Sequence, residues 1–412
     1  MATNQNGSSE RQCRRLSKAV NATSPRPVHD GVGRGSTSKI SRRAFVARSA
    51  GTALVLGGLS NVLVSTRAAS QTGSGTVVVM AWENYVHAEI QKRFHEATGI
   101  TVRGIPADSD QDMFTKLKAG GGEQYDIVFA NAGFCPFYHE AGLIEPIDLT
   151  QIPAAKNLWP IFKTDTSFPY VVAPNQTLLY PSMWASFGIC WNIDRFQVPP
   201  PYSWKSLWDA PKGKVILQGA GDDFLSLAGL ALGVPRSEIY SMTGPTLEKA
   251  AEYLRQLKPF QISASSDLVT ADAIRTGKAV VGQATSLGLA YRINEKAGKH
   301  VADIQLPKEG ALGWVDGPQL VKDAKNRDNA LKFIDFLMGD PAMQDWLWQY
   351  NVFGMASQTT SERIMKSGAQ LNAPVYEALG GMKPEIAKSM VFQGPSRNPK
   401  EWAAAYDKVL AD

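Results

Sequence analysis

The chain has 412 residues, 44% hydrophobic and 20% charged, the proportions of a globular protein of about two domains. Its formal charge of +5 is unevenly spread: of 43 Lys and Arg and 38 Asp and Glu, eleven bases and two acids fall in residues 1–70, leaving 32 against 36 beyond them. A body that carries −4 excludes an obvious nucleic-acid binder, and its mildly acidic surface is compatible with small cations.

Residues 1–40 are rich in Ser, Asn, Gly and Arg, lack an apolar period and read as a disordered basic extension. Ser41-Arg42-Arg43-Ala44-Phe45-Val46 follows, then a Gly- and Ser-diluted apolar run from Ala50 to Val64 and the small residues Ala68-Ala69-Ser70. Paired arginines before a short apolar segment mark the bacterial twin-arginine export route. Residues 41–70 are therefore expected to be a signal peptide cleaved between Arg67 and Thr72, with Arg42 and Arg43 read by the translocase and the periplasm as destination. The run is too short for a stable membrane span. Cys13 leaves with this leader; Cys135 and Cys190 stay, either bridged or as two separate buried thiols. No Cys/His cluster or cofactor fingerprint occurs, so neither metal nor cofactor is expected.

In the body, Thr76-Val77-Val78-Val79-Met80-Ala81 is a β-branched run suited to a buried parallel strand. Val86, Ile90, Phe94 and Ala97 recur at helical spacing before Gly99, and strand character resumes at Ile100-Thr101-Val102. Asp110 is placed to cap a helix carrying Met113, Phe114 and Leu117, which should stop at Gly120-Gly121-Gly122. Tyr125 to Phe129 makes a third strand, and Phe137 to Ala141 a short helix. This order predicts a parallel sheet with helices on both faces, whose ligands sit beyond the carboxyl ends of its strands. Those ends are Trp82-Glu83-Asn84-Tyr85 and Ala130-Asn131-Ala132-Gly133.

A loop-rich stretch, Pro146 to Pro181, leads to a strand over Trp184 to Asn192. A second α/β block starts at Lys214-Val215-Ile216-Leu217, with helices from Asp222, Leu247 and Asp267 and further strands at Ala279–Gln283 and Asp303–Leu306. Helices are expected at Asn329–Met338 and Pro341–Tyr350, the proline taking a first-turn position. The chain should close with an amphipathic helix through Trp402, Tyr406, Val409 and Leu410. Two α/β blocks with strands running between them imply two lobes around a cleft. The lobes are expected to comprise residues 75–186 with 316–360, and 187–315 with 361–412.

Gly313-Trp314-Val315-Asp316-Gly317-Pro318 carries the chemistry. On a strand, Trp314 and Asp316 leave by one face. An indole beside a carboxylate suits an organic ammonium, through the ring quadrupole and a charge-assisted hydrogen bond. Alone, such a pair is more often a core tryptophan followed by a turn aspartate. The bracketing glycines and proline suggest a strand that crosses between bodies.

Ala81-Trp82-Glu83-Asn84-Tyr85-Val86, Tyr125-Asp126-Ile127-Val128, Ser203-Trp204-Lys205-Ser206-Leu207-Trp208, Pro307-Lys308-Glu309-Gly310, Gly313-Trp314-Val315-Asp316 and Asn329-Ala330-Leu331-Lys332-Phe333-Ile334 together resemble the spermidine/putrescine-binding family, solute-binding proteins of ABC importers. The resemblance spans nearly all of residues 75–412. It implies an α/β, bilobed, type II periplasmic-binding-protein fold, its lobes joined by crossing strands around a central cleft. It further implies a monomeric periplasmic carrier, without catalysis, that hands a polyamine to membrane permease subunits. By position, Trp82 and Tyr85 match aromatic lining, Asn131 a small polar contact, Trp314 and Asp316 the amine-holding pair, and Gln393 a late polar contact. Of the family's second-lobe acidic pair only Asp223 remains, Ala220 standing where the other was. A small residue near Thr285 replaces a stacking tryptophan, and Phe353 an aromatic hydroxyl. Those losses weigh against a long triamine; Asp222 or Glu83 are the candidates to compensate. The rival readings are another cargo on the same fold (a quaternary or aromatic amine, a phosphonate or ferric ion) and a secreted enzyme. No His-Glu-x-x-His, P-loop or Gly-x-Ser-x-Gly supports the latter.

Overall fold

The computed structural model describes residues 75–219, 221–257, 261–264 and 267–411. The basic extension, the expected signal peptide with Arg42 and Arg43, Cys13 and Ala220 lie outside the described residues.

The described chain opens with β1 (Thr76–Ala81), α1 (Ala88–Thr98), β2 (Thr101–Pro106), α2 (Asp110–Gln124), β3 (Ile127–Asn131) and α3 (Cys135–Glu140). β1 lies between β2 and β3 and is parallel to both. Val77 and Val79 to Ala81 have no exposed surface, as a strand covered on both faces requires. α1 follows from its spacing: Ile90 and Phe94, one turn apart, bury against the sheet, and Gly99 ends the helix at φ 75°, a conformation open to glycine. Truncating a ring as buried as Phe94 to alanine typically costs about 3–5 kcal/mol.

α2 departs from expectation at both ends. Its cap is Ser109, whose hydroxyl accepts the Asp112 N–H, so Asp110 lies in the first turn with its carboxylate directed elsewhere. The helix also passes the glycine triplet, kinking at Gly121 (φ 47°, ψ −151°) and ending at Gln124. Glycine adopts such angles without the steric cost a Cβ brings, so the triplet bends the helix rather than stopping it.

The expected single strand over 184–192 is two. β4 (Met183–Ser186) belongs to the first sheet and β5 (Gly188–Asn192) to the second, with Phe187 at the passage. The second sheet continues with β6 (Val215–Gln218), α4 (Gly221–Leu232), α5 (Gly244–Leu257), β7 (Gln261–Ala264), α6 (Asp267–Thr276), β8 (Val281–Ala284), α7 (Leu289–Ala297) and β9 (Ala302–Gln305). Among the described residues its order is β7-β6-β8-β5-β9; β7 is a strand the sequence reading missed.

The chain returns through 306–310 into β10 (Ala311–Val321), eleven residues inside the first sheet. Rather than crossing between bodies, the Trp314–Asp316 stretch is an inner strand, antiparallel to β4 on one side and β3 on the other, so the sheet is mixed, not parallel. Pro318 is tolerated there. A strand residue's N–H and C=O point the same way, and the Pro318 carbonyl accepts the Tyr180 N–H at 2.9 Å, so its missing donor faces that chain rather than β3. Gly317 serves the same close approach: a Cβ would lie 1.9 Å from the Tyr180 carbonyl oxygen.

α8 (Arg327–Gly339), α9 (Pro341–Asn351), β11 (Gly354–Met355), α10 (Gln358–Lys366), α11 (Ala373–Ala378), β12 (Met390–Phe392) and α12 (Pro399–Leu410) complete the described chain. The stretch 361–412, expected in the second lobe, divides. α10 packs on α9, α11 and β11, and β12 pairs with β10, while α12 packs on α4 and α5 of the second lobe. On α12, Trp402, Ala405 and Val409 are buried at helical spacing, whereas Leu410 is 56% exposed and off the packed face. Cys135 and Cys190 are separate buried thiols.

Candidate binding site

The carboxyl ends of β1 and β3, the middle of β10 and the start of α4 face one another across a cavity of about 690 Å³. Its wall includes Trp82, Asn131, Asp223, Thr285, Trp314, Asp316 and Gln393 among the expected residues, with the compensating candidate Asp222, and Asp108, Asp110, Phe134, Phe187 and Gln218 besides. Five of the lining residues are aspartates and none is Lys, Arg or His. Among the described residues no three His, Cys, Asp or Glu side chains are grouped to hold a metal ion.

On the first-lobe wall, Asp316 stands opposite Asn131 in the β10–β3 ladder. The Tyr85 hydroxyl donates to its Oδ2 at 3.0 Å. Tyr85 is buried, its ring stacked on Phe129 at 3.9 Å, so it buttresses Asp316 from behind instead of lining the cavity. Burial pushes the Asp316 carboxyl up to about 8, the negative charge of Asp110 adds to this, and the Tyr85 hydrogen bond opposes it. Asp110 was not among the expected residues. Its Oδ1 accepts the Asn131 N–H at 3.0 Å. Burial, with the charge of Asp223 adding, raises it to about 6 against the pull of backbone N–H groups. The sequence signal was present in Asp108-Ser109-Asp110, but reading Asp110 as a cap assigned its carboxylate to the helix.

On the second-lobe wall the polar groups are tied to one another. Asp223, in the first turn of α4, accepts from Gln393 Nε2 at 2.9 Å. Asp222 accepts the Ser396 N–H, and burial raises its carboxyl. The Thr285 hydroxyl donates to Asp267 at 2.7 Å, and Gln218 donates to the same carboxylate. The Thr285 carbonyl also accepts the Trp314 indole N–H at 3.2 Å, a hydrogen bond from one sheet to the other. Phe353 lies outside the cavity wall; its ring meets Trp314 edge-on at 4.7 Å and 86° and holds the indole in place. Glu83 is exposed and off the wall, so it compensates nothing there. Gly133 permits the late loop to close the site, since a Cβ on it would fall 1.7 Å from the Gln393 carbonyl oxygen.

A cleft between two α/β lobes, sealed by strand tips and lined by carboxylates, is a place to hold a solute. Residues 89–364 match the family of bacterial extracellular solute-binding proteins. The chain belongs to that family. The family and fold are those of solute carriers, not enzymes. The putrescine-binding periplasmic protein PotF of Escherichia coli is 28% identical over 304 residues, covering 69% of this solute-binding protein and 78% of PotF. The spermidine/putrescine-binding periplasmic protein of the same organism is 28% identical over 273 residues, 66% of this chain and 75% of that one. In structure, the spermidine/putrescine ABC transporter substrate-binding protein PotD of Streptococcus pneumoniae superposes with a TM-score of 0.63 at 24% identity, over 82% of this chain and 98% of that one. A lipoprotein of Treponema pallidum superposes with a TM-score of 0.66 at 19% identity, over 81% and 99%. These likenesses identify the bilobed type II periplasmic-binding-protein fold.

Proposed function

We propose that this solute-binding protein captures a small organic polycation, a polyamine of the putrescine or spermidine class, in its interlobe cleft and delivers it to a membrane permease as a monomer. The observation that carries this reading is the wall: five aspartates, two indoles and no basic side chain. Such a lining is repulsive to a phosphonate and favourable to an ammonium stacked against Trp82 or Trp314. The names of the E. coli relatives support the same class. Asp316 with Trp314 takes one ammonium, and Asp223 takes the far end of a short diamine. A thermal-shift panel of amines, amino acids and anions on residues 72–412 tests the class. Stabilisation by diamines but not by phosphonates is expected, and stabilisation by anions alone overturns it.

We further propose that the protein works in the periplasm, reached by the twin-arginine route with its signal peptide removed. The support is Ser41-Arg42-Arg43-Ala44-Phe45-Val46 and the periplasmic relatives. Replacing both arginines by lysine should leave the precursor in the cytoplasm; undiminished periplasmic protein contradicts the route.

A further inference from the structure

The resemblance to known carriers supplies Asp316 as the first-lobe carboxylate, but the cavity holds a second one beside it. Asp110 and Asp316 flank Asn131: Asp110 accepts the Asn131 backbone N–H, and Asp316 is its partner across the β10–β3 ladder. Asn131 is 7% exposed and lines the cavity. Its Oδ1 is taken by the Gly133 N–H at 2.9 Å, which fixes the amide, while its Nδ2 meets no acceptor among the described residues. That donor, on a residue otherwise almost wholly buried, opens on the cavity, where a bound water or the cargo itself can accept from it. Asp110 has no cationic partner among the described residues either, and it is not needed as the cap of α2, because Ser109 performs that role.

We propose that Asp110 is a specificity-determining residue, the second anionic arm of a head-group site in which one ammonium of the cargo binds against Asp110 and Asp316 on either side of Asn131. The inference rests on the reading of the cleft as an amine site and deepens it. A primary ammonium has three donors, enough for both carboxylates, and its charge relieves the repulsion between them. Asp223 faces this pair from α4 and stays with the far end of the cargo. The other titratable groups beside the pair include the Tyr85 hydroxyl, which donates to Asp316, the Tyr138 hydroxyl, which donates to the Asp110 carbonyl, and the Cys135 thiol, which burial pushes up.

The test is calorimetry with n-butylamine and 1,4-diaminobutane on the wild type, Asp110→Asn, Asp110→Glu and Asp223→Ala. Asp110→Asn keeps an oxygen acceptor for the Asn131 N–H and removes only the charge. It should weaken both amines alike, by about tenfold or more. Asp223→Ala should weaken the diamine selectively, and Asp110→Glu should recover part of the loss. A structural role would not move the pH profile. With its neighbour's charge gone, Asp316 ionises more easily, so the acid limb of the affinity profile should shift to lower pH in Asp110→Asn. Unchanged affinity for both amines in a folded Asp110→Asn protein overturns the proposal, and so does a loss confined to the diamine. A wild type that binds neither amine instead overturns the amine reading beneath it, and the inference with it.

Discussion

The two walls of the cleft are made of similar residues whose carboxylates are partnered differently. On the first lobe, Asp316 and Asp110 share a half-buried wall with donors that are neutral, a tyrosine hydroxyl and a backbone N–H, and both carboxyls are pushed up. On the second lobe, Asp267 collects Gln218 and Thr285, Asp223 takes Gln393, and Asp222 takes the Ser396 N–H. The first wall is under electrostatic tension that a cation relieves; the second is largely satisfied by its own neighbours. Affinity for an ammonium should therefore reside on the first wall, with the second completing the enclosure and reading the length of the cargo.

The largest expected effect comes from discharging the first wall. Removing one partner of a desolvated pair leaves the other stranded at a typical cost of about 3–5 kcal/mol. Asp316→Asn should therefore weaken diamine binding at least ~100-fold by calorimetry, even discounting for water retained in the cleft. A smaller loss than that of Asp223→Ala would invert the comparison.

Acid should act next. An amine stays cationic across neutral pH and pairs with Asp316 only when that group is ionised, yet in the empty cleft it is pushed up to about 8 and Asp110 to about 6. Affinity should fall by up to ~10-fold per pH unit as pH drops below 8, and binding at pH 7 should release protons, read as a dependence of binding heat on the buffer. The stability of the ligand-free protein should move the opposite way. Both carboxyls have folded values above the ordinary 3.8, so the folded state keeps protons the unfolded chain has lost. Their contribution is favourable at low pH and is lost as pH rises through 6 and then 8. Melting curves from pH 5 to 9, with and without diamine, should therefore diverge. Curves that stay parallel would show that neither group is perturbed.

Much of this was legible in the chain. The run Thr76–Ala81 gave its strand because valines covered on both faces leave a continuous apolar signal, and Trp314-x-Asp316 gave a shared face because strand side chains alternate. Pairing partners were not legible. Nothing local tells that Phe187 divides one apolar run between two sheets, or that Pro318 sits inside a sheet with its missing donor turned aside. Site roles that depend on those partners shifted accordingly. Tyr85 and Phe353 support Asp316 and Trp314 from outside the cavity wall, Glu83 is off it, and Asp110 is on it because Ser109 took the cap.

Two smaller effects sharpen the contrast. Trp314→Ala should cost about 1–2 kcal/mol of amine affinity through the lost ring face, roughly tenfold, and should also loosen the indole hydrogen bond to Thr285. On the closing side, Arg292 of α7 donates to the Asn351 carbonyl at the end of α9, 2.6 Å across the lobes. A cation at a helix C-terminus contributes about 0.3–1 kcal/mol, so Arg292→Ala should weaken every amine by about two- to fivefold without changing their order. A change in order would move Arg292 into the reading of cargo.

On this reading a carboxylate-lined cleft exchanges protons for an organic cation. Titrating residues 72–412 with 1,4-diaminobutane at pH 7, in buffers of different ionisation heat, tests it most directly. Saturable one-to-one binding with net proton release is the predicted result; no binding of the diamine by the folded protein, or binding with no proton exchanged, contradicts it.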